Sequence, residues 1–96
     1  DAEGPDGRHA KRKRDLAARL EALVPENALA RGIQSRVEVV EHQHPAAGIC
    51  QAAERSSAEL ICIGSRGRSG LKKKLLGSVT ESVMRRSKRP VLVIRN

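Results

Sequence analysis

A chain of 96 residues allows one small domain, burying about 60–70% of the surface its unfolded form exposes. Its apolar residues are almost all Ala, Val, Leu and Ile, with no Phe, Tyr or Trp and a single methionine, Met84, so any core is aliphatic. That suits β-branched parallel strands covered by helices. The net charge of +8, from 19 Lys and Arg against 11 Asp and Glu, attracts phosphates, nucleic acid and acidic surfaces, while the absence of rings removes base-stacking platforms.

Asp1 to Ala10 holds two Gly, one Pro and no hydrophobic periodicity, and is expected to be a disordered or linker-like start, with the domain running over 11–96. Lys11-Arg12-Lys13-Arg14 reads either as a nucleic-acid or targeting patch or as the solvated first turn of a helix. It leads straight into a helical pattern, so the second reading is preferred. Leu16, Leu20, Leu23 and Val24 then share one helix face, with Arg19 and Glu21 off it. Pro25 predicts an end or kink near Val24, and Arg31-Gly32 a C-terminal stop.

In Ile33 to Glu41 the apolar residues 33, 37 and 39 share one parity, which predicts a strand with a polar alternate face. His42 and His44 form an H-x-H pair, but no third ligand stands nearby in the pattern and no metal is assigned. Pro45 to Ser57 reads as a short helix with Ile49, Ala52 and Ala53 on one face. Glu59 to Ile63 is a nearly continuous apolar run bounded by Gly64, the pattern of a fully buried parallel strand. Cys62 within it is expected to act as a small buried hydrophobe, and Cys50 to lie on the preceding helix. Ser78 to Ser87 is helical, with Val79 and Val83 inward, and Pro90 to Ile94 is a second buried-type strand. The order β-α-β-loop-α-β from residue 33 implies parallel pairing through right-handed crossovers. Two cysteines make no disulfide scaffold. With no signal-like segment and no apolar run longer than four residues, they lead us to expect a reducing, soluble compartment, by default the cytoplasm, and no membrane.

The informative stretch runs from Gly64 to Ser78 and leaves the C-terminal end of a strand, where open α/β sheets place their ligands. Gly64 and Gly67 allow close backbone approach and positive φ, and successive N–H groups in such a turn can form an anion nest. Ser78-Val79-Thr80-Glu81 fits a capping box at the start of a helix, whose N-terminus carries about half a unit of positive charge. Such a terminus stabilises a phosphate. Arg66, Arg68, Lys72, Lys73 and Lys74 add further positive charge. The loop is neither a P-loop, since no Gly is followed by Lys and then Ser or Thr, nor a dinucleotide fingerprint, since the G-x-G-x-x-G spacing is missing.

The spacing Gly64, two residues, Gly67, nine residues, Gly77-Ser78 is G-x2-G-x9-G-[ST]. It resembles the ATP-binding signature of the universal stress protein family, as do the flanks Ala58 to Gly64 and Arg89 to Arg95. The resemblance covers roughly Lys11 to Asn96. It implies a doubly wound α/β fold of the adenine nucleotide alpha hydrolase-like kind, with a five-stranded parallel sheet and often a homodimer through the last strand, here Val91–Ile94. It also implies that Ile63 lies near the adenosine, that Gly64 and Gly67 border the ribose and phosphates, and that Gly77, Ser78 and Val79 hold the triphosphate. Arg66 stands where the family often has His or Arg. Family domains normally begin with a strand, a helix and a second strand that this sequence lacks, so the sheet is expected to be completed at an exposed strand edge by another polypeptide, either a second copy or the missing N-terminal segment.

The leading expectation is therefore a stress-response regulatory domain that binds ATP, alone or with Mg2+. The alternative is a dimerising interaction module of the same family that binds no ATP. Nucleic acid is not expected as a partner, and backbone-only binding would betray itself by a steep salt dependence. His9, His42 and His44 are not brought near the loop by any pattern, and no nucleophile–base pair is recognisable. No enzymatic role is assigned, and slow ATP hydrolysis is left without a nameable base.

Overall fold

The computed structural model describes residues 5–66 and 76–95, which fall into two compact units, Asp1–Val39 and Val40–Asn96. In the first unit, helix α1 spans Pro5–Glu21. It begins inside the segment read from the sequence as a disordered or linker-like start. Missing hydrophobic periodicity says little about helix propensity: proline is well tolerated at a first helical position, and Arg8, Ala10, Lys11, Arg12, Lys13 and Arg14 are all good helix formers. Beyond Glu21 the hydrogen bonds tighten to i→i−3 spacing, from Leu23 N–H to Leu20 and from Val24 N–H to Glu21, ahead of Pro25. A further turn ends at Gly32, whose φ of 80° and Ile33 N–H···Ala28 bond of 2.9 Å make the expected left-handed stop.

Ile33 to Glu41 forms no strand among the described residues, against the alternation of its sequence. Alternation marks a segment able to pair, but a strand exists only where a neighbour accepts its ladder. None of the described residues does so here.

The second unit carries the α/β core. Helix α2 spans Pro45–Arg55, strand β1 Ile61–Gly64, helix α3 Ser78–Arg86 and strand β2 Val91–Ile94. The strands pair in parallel, Ile61 opposite Val91 through Gly64 opposite Ile94, and the intervening α3 makes the crossover. Ala46, Ala53, Ile61 and Val83 form the buried centre, with Ile49, Cys50, Ala58, Ile63, Val79 and Val91 packed around it. Both helices thus cover one face of the sheet. Leu60, Cys62, Leu92 and Ile94 are exposed, so β1 is buried on one side only and Cys62 is not the buried hydrophobe its sequence suggested. The reason is the period of two along a strand, which turns 61 and 63 toward the helices and 60 and 62 away.

The link from α2 to β1 is a Schellman turn. Ser57 takes a left-handed φ of 55°, its N–H bonds Glu54, and the Ala58 N–H bonds Ala53 at 2.9 Å. Arg89, just before β2, braces this turn: its Nε donates to the Ala58 carbonyl, and its Nη1 stands 3.9 Å from Glu54.

Candidate functional site

The strand β1 delivers the loop, and α3 receives it. Ile63 turns its side chain into the core, so its main chain is what the strand's outer end presents. Gly64, the last residue of β1, does not adopt positive φ, and among the described residues a Cβ placed on it would meet only the Arg66 carbonyl, at an ordinary 3.8 Å. The conformational freedom expected of Gly64 is therefore not used. Arg66 is half-buried, and Gly67 lies outside the described residues, as do Arg68 and Lys72 to Lys74.

Two interactions that sequence reasoning missed hold the ends of this loop together. Ser65 is buried: its N–H donates to Ile94 at 2.8 Å, prolonging the ladder, and its carbonyl accepts the Gly77 N–H at 2.7 Å. Thr80, also buried, donates its hydroxyl to the Gly64 carbonyl at 2.6 Å. The only signal in the sequence was their polarity beside apolar core residues, since Thr80 read equally well as capping-box filler.

The capping box itself is corrected. Gly77, with φ −64° and ψ 151°, is the N-cap of α3, and Ser78 is the first helical residue. No side chain caps this terminus, and Glu81 reaches forward to pair with Arg85 instead of back to Ser78. A glycine directly before the serine let the cap move by one residue, because the Gly77 N–H is satisfied by Ser65. The first intrahelical bond is Glu81 N–H to Gly77, which leaves the N–H groups of Ser78, Val79 and Thr80 with no acceptor among the described residues. Ser78 is exposed, while Val79 is half-buried against the core. Gly77, Ser78 and Val79 are thus brought together at the sheet's C-terminal edge with Gly64 and Ile63.

Beside this terminus a shallow groove of about 220 Å³ separates the start of α2 from α3, lined by His44, Pro45, Ala46, Ser78, Val79, Ser82 and Arg86. The His42–His44 pair is engaged locally, His42 Nδ1 accepting the His44 N–H at 2.9 Å. No group of three metal-ligating side chains occurs among the described residues. None of the described helices is long and apolar enough to cross a membrane.

A parallel strand pair, a glycine-punctuated loop and a helix start without a side-chain cap define a small α/β domain. The chain belongs to the universal stress protein family, whose model matches residues 1–95. The match extends the family to α1, ahead of the Lys11 boundary expected from the motif. Among relatives, the universal stress protein YxiE of Bacillus subtilis is 40% identical over 70 residues, which is 73% of this chain and 47% of that protein. A universal stress protein of Methanocaldococcus jannaschii is 47% identical over 47 residues, or 49% of this chain and 29% of that one. The stress response protein NhaX of Bacillus subtilis is 43% identical over 51 residues, covering 53% of this chain and 31% of its own length. The chain therefore spans half or less of the length of these curated relatives. No solved structure matches it significantly.

Proposed function

We propose that this chain is a regulatory nucleotide-binding domain of the stress response, taking ATP through the main chain at the start of α3. The observation that carries the reading is the uncapped α3 terminus, where Ser78, Val79 and Thr80 offer N–H groups beside a buried Gly77 fixed to Ser65. An anion there meets unsatisfied donors and the positive end of the helix dipole. The residues fit a polyphosphate: the Ser78 hydroxyl is exposed, the one first-turn carboxylate, Glu81, is paired with Arg85, and Gly77 keeps side-chain bulk away. Thr80 cannot contribute its hydroxyl, which Gly64 already accepts. Ile63 and Gly64 present main chain to the nucleoside, Arg66 and Gly67 complete the loop, and Mg2+ would accompany the phosphates. The role is one of occupancy, with no catalytic group assigned, in a cytoplasmic setting consistent with two free thiols.

A second reading has its own support. The half-exposed Leu60, Leu92 and Ile94 on the uncovered sheet face, with the free edge of β2 at Val91–Ile94, suit a homodimerising interaction module. Calorimetric titration with MgATP separates the two. Micromolar binding is expected, reduced at least tenfold by Ser78→Asp, which places a carboxylate where the phosphates would sit yet favours the helix itself. Absence of heat from the unaltered chain, together with a dimer in sedimentation, would reject the nucleotide reading in favour of the module.

A further inference from the structure

We propose that α1 is a docking surface for the sugar–phosphate backbone of duplex nucleic acid, independent of the nucleotide site. Arg8, Lys11, Arg12, Lys13 and Arg14 all lie exposed within one helix, and Asp15 is the only acidic residue from Arg8 to Leu20. None of these five cations forms an ion pair with any described residue. Their spacing also works against the free helix: Arg8 and Arg12 stand at i,i+4, and Arg8–Lys11 and Lys11–Arg14 at i,i+3. Each like-charge pair at these spacings destabilises the helix. A polyanion removes that repulsion.

The distribution of the charges chooses the polyanion. Successive helical residues turn by roughly 100°, so Lys11 to Arg14 project to four sides of the axis and no apolar stripe interrupts them. A helix lying on a membrane needs a broad apolar face of long side chains, and α1 offers only Leu16 and Leu20, both beyond the basic stretch. A duplex major groove, about 12 Å wide, admits a helix between two phosphate walls and rewards charge on every side. The missing aromatic residues exclude single-strand stacking but are not needed for this mode. The contacts proposed are to phosphates, which carry no sequence information, so binding is expected to be independent of sequence.

The test is fluorescence anisotropy of the full chain with a labelled random-sequence DNA duplex across a salt series. With the five exposed cations each neutralising a phosphate, affinity should fall roughly 500-fold between about 50 and 200 mM monovalent salt. The variant Lys11→Gln, Arg12→Gln, Lys13→Gln, Arg14→Gln keeps helix propensity, which circular dichroism verifies, and should lower the log–log salt slope by about 3–4. Unchanged duplex binding by this variant would overturn the proposal, because another basic segment would then hold the duplex. A salt slope near zero would overturn it too. So would uptake by phosphatidylserine vesicles without duplex binding, which would make the partner a membrane.

Discussion

Leu20, Leu23, Leu29 and Ile33 in the first unit are between 42% and 79% exposed, whereas in the second unit Val83 is fully buried and Ile61 keeps 8% of its surface. Both units are aliphatic and both show amphipathic spacing. The difference lies in what each has to bury against. In the second, a parallel pair of strands brings residues 61–64 beside 91–94 and gives α2 and α3 a common floor. The first unit holds a helix and a turn but no strand among its described residues, and Ala28 is the only described hydrophobic residue that is buried there. Spacing states which residues are able to be buried; a sheet decides which of them are.

That contrast is open to direct attack, and the largest effect is expected at its centre. Val83→Ala should cost about 2 kcal/mol through lost burial and the cavity left behind, while Leu20→Ala in the first unit should stay within about 0.5 kcal/mol. Urea midpoints at unchanged slope would measure both, and similar losses for the two would mean the first unit shares the core. Next, Thr80→Val keeps the shape but removes the buried hydroxyl bond to Gly64. It should cost about 1–2 kcal/mol and speed hydrogen exchange at the Gly77 N–H; unaltered exchange would show that Ser65 alone fixes the loop. The smallest effect sharpens the comparison by exchange. Each unit has a left-handed stop, glycine at 32 in the first and serine at 57 in the second. Ser57→Gly should stabilise by roughly 0.5–1 kcal/mol and Gly32→Ser destabilise by about as much, read from thermal midpoints.

Local chemistry was legible in the sequence. The α2 and α3 helices, the two apolar runs that became β1 and β2, the stop at Gly32 and the glycine pattern of the loop all announced themselves within a few residues. What was not legible depended on distant partners. The alternation of Ile33 to Glu41 could not reveal that no described segment would pair with it. The apolar run at 60–63 could not say that helices would cover one face alone and leave Cys62 outside. At the loop's end the sequence placed the helix start at Ser78 but gave the cap to the wrong residue. The deciding contact joins Gly77 to Ser65 across the loop, and neither residue type advertises it. Thr80 was hidden for the same reason, since its partner, the Gly64 carbonyl, lies on the preceding strand.

The bond between Ser65 and Gly77 also has a consequence for how this protein can change. It closes a neck, so the chain between those two residues is an insert whose ends are already held a hydrogen bond apart. The entropy of closing such an insert grows only with the logarithm of its length, by about 0.6 kcal/mol for each doubling. Residues can therefore be added, deleted or exchanged inside the neck at little expense to the sheet below it. The architecture is that of a socket with a replaceable fitting, in which the sequence of the insert can drift while the fold stays fixed.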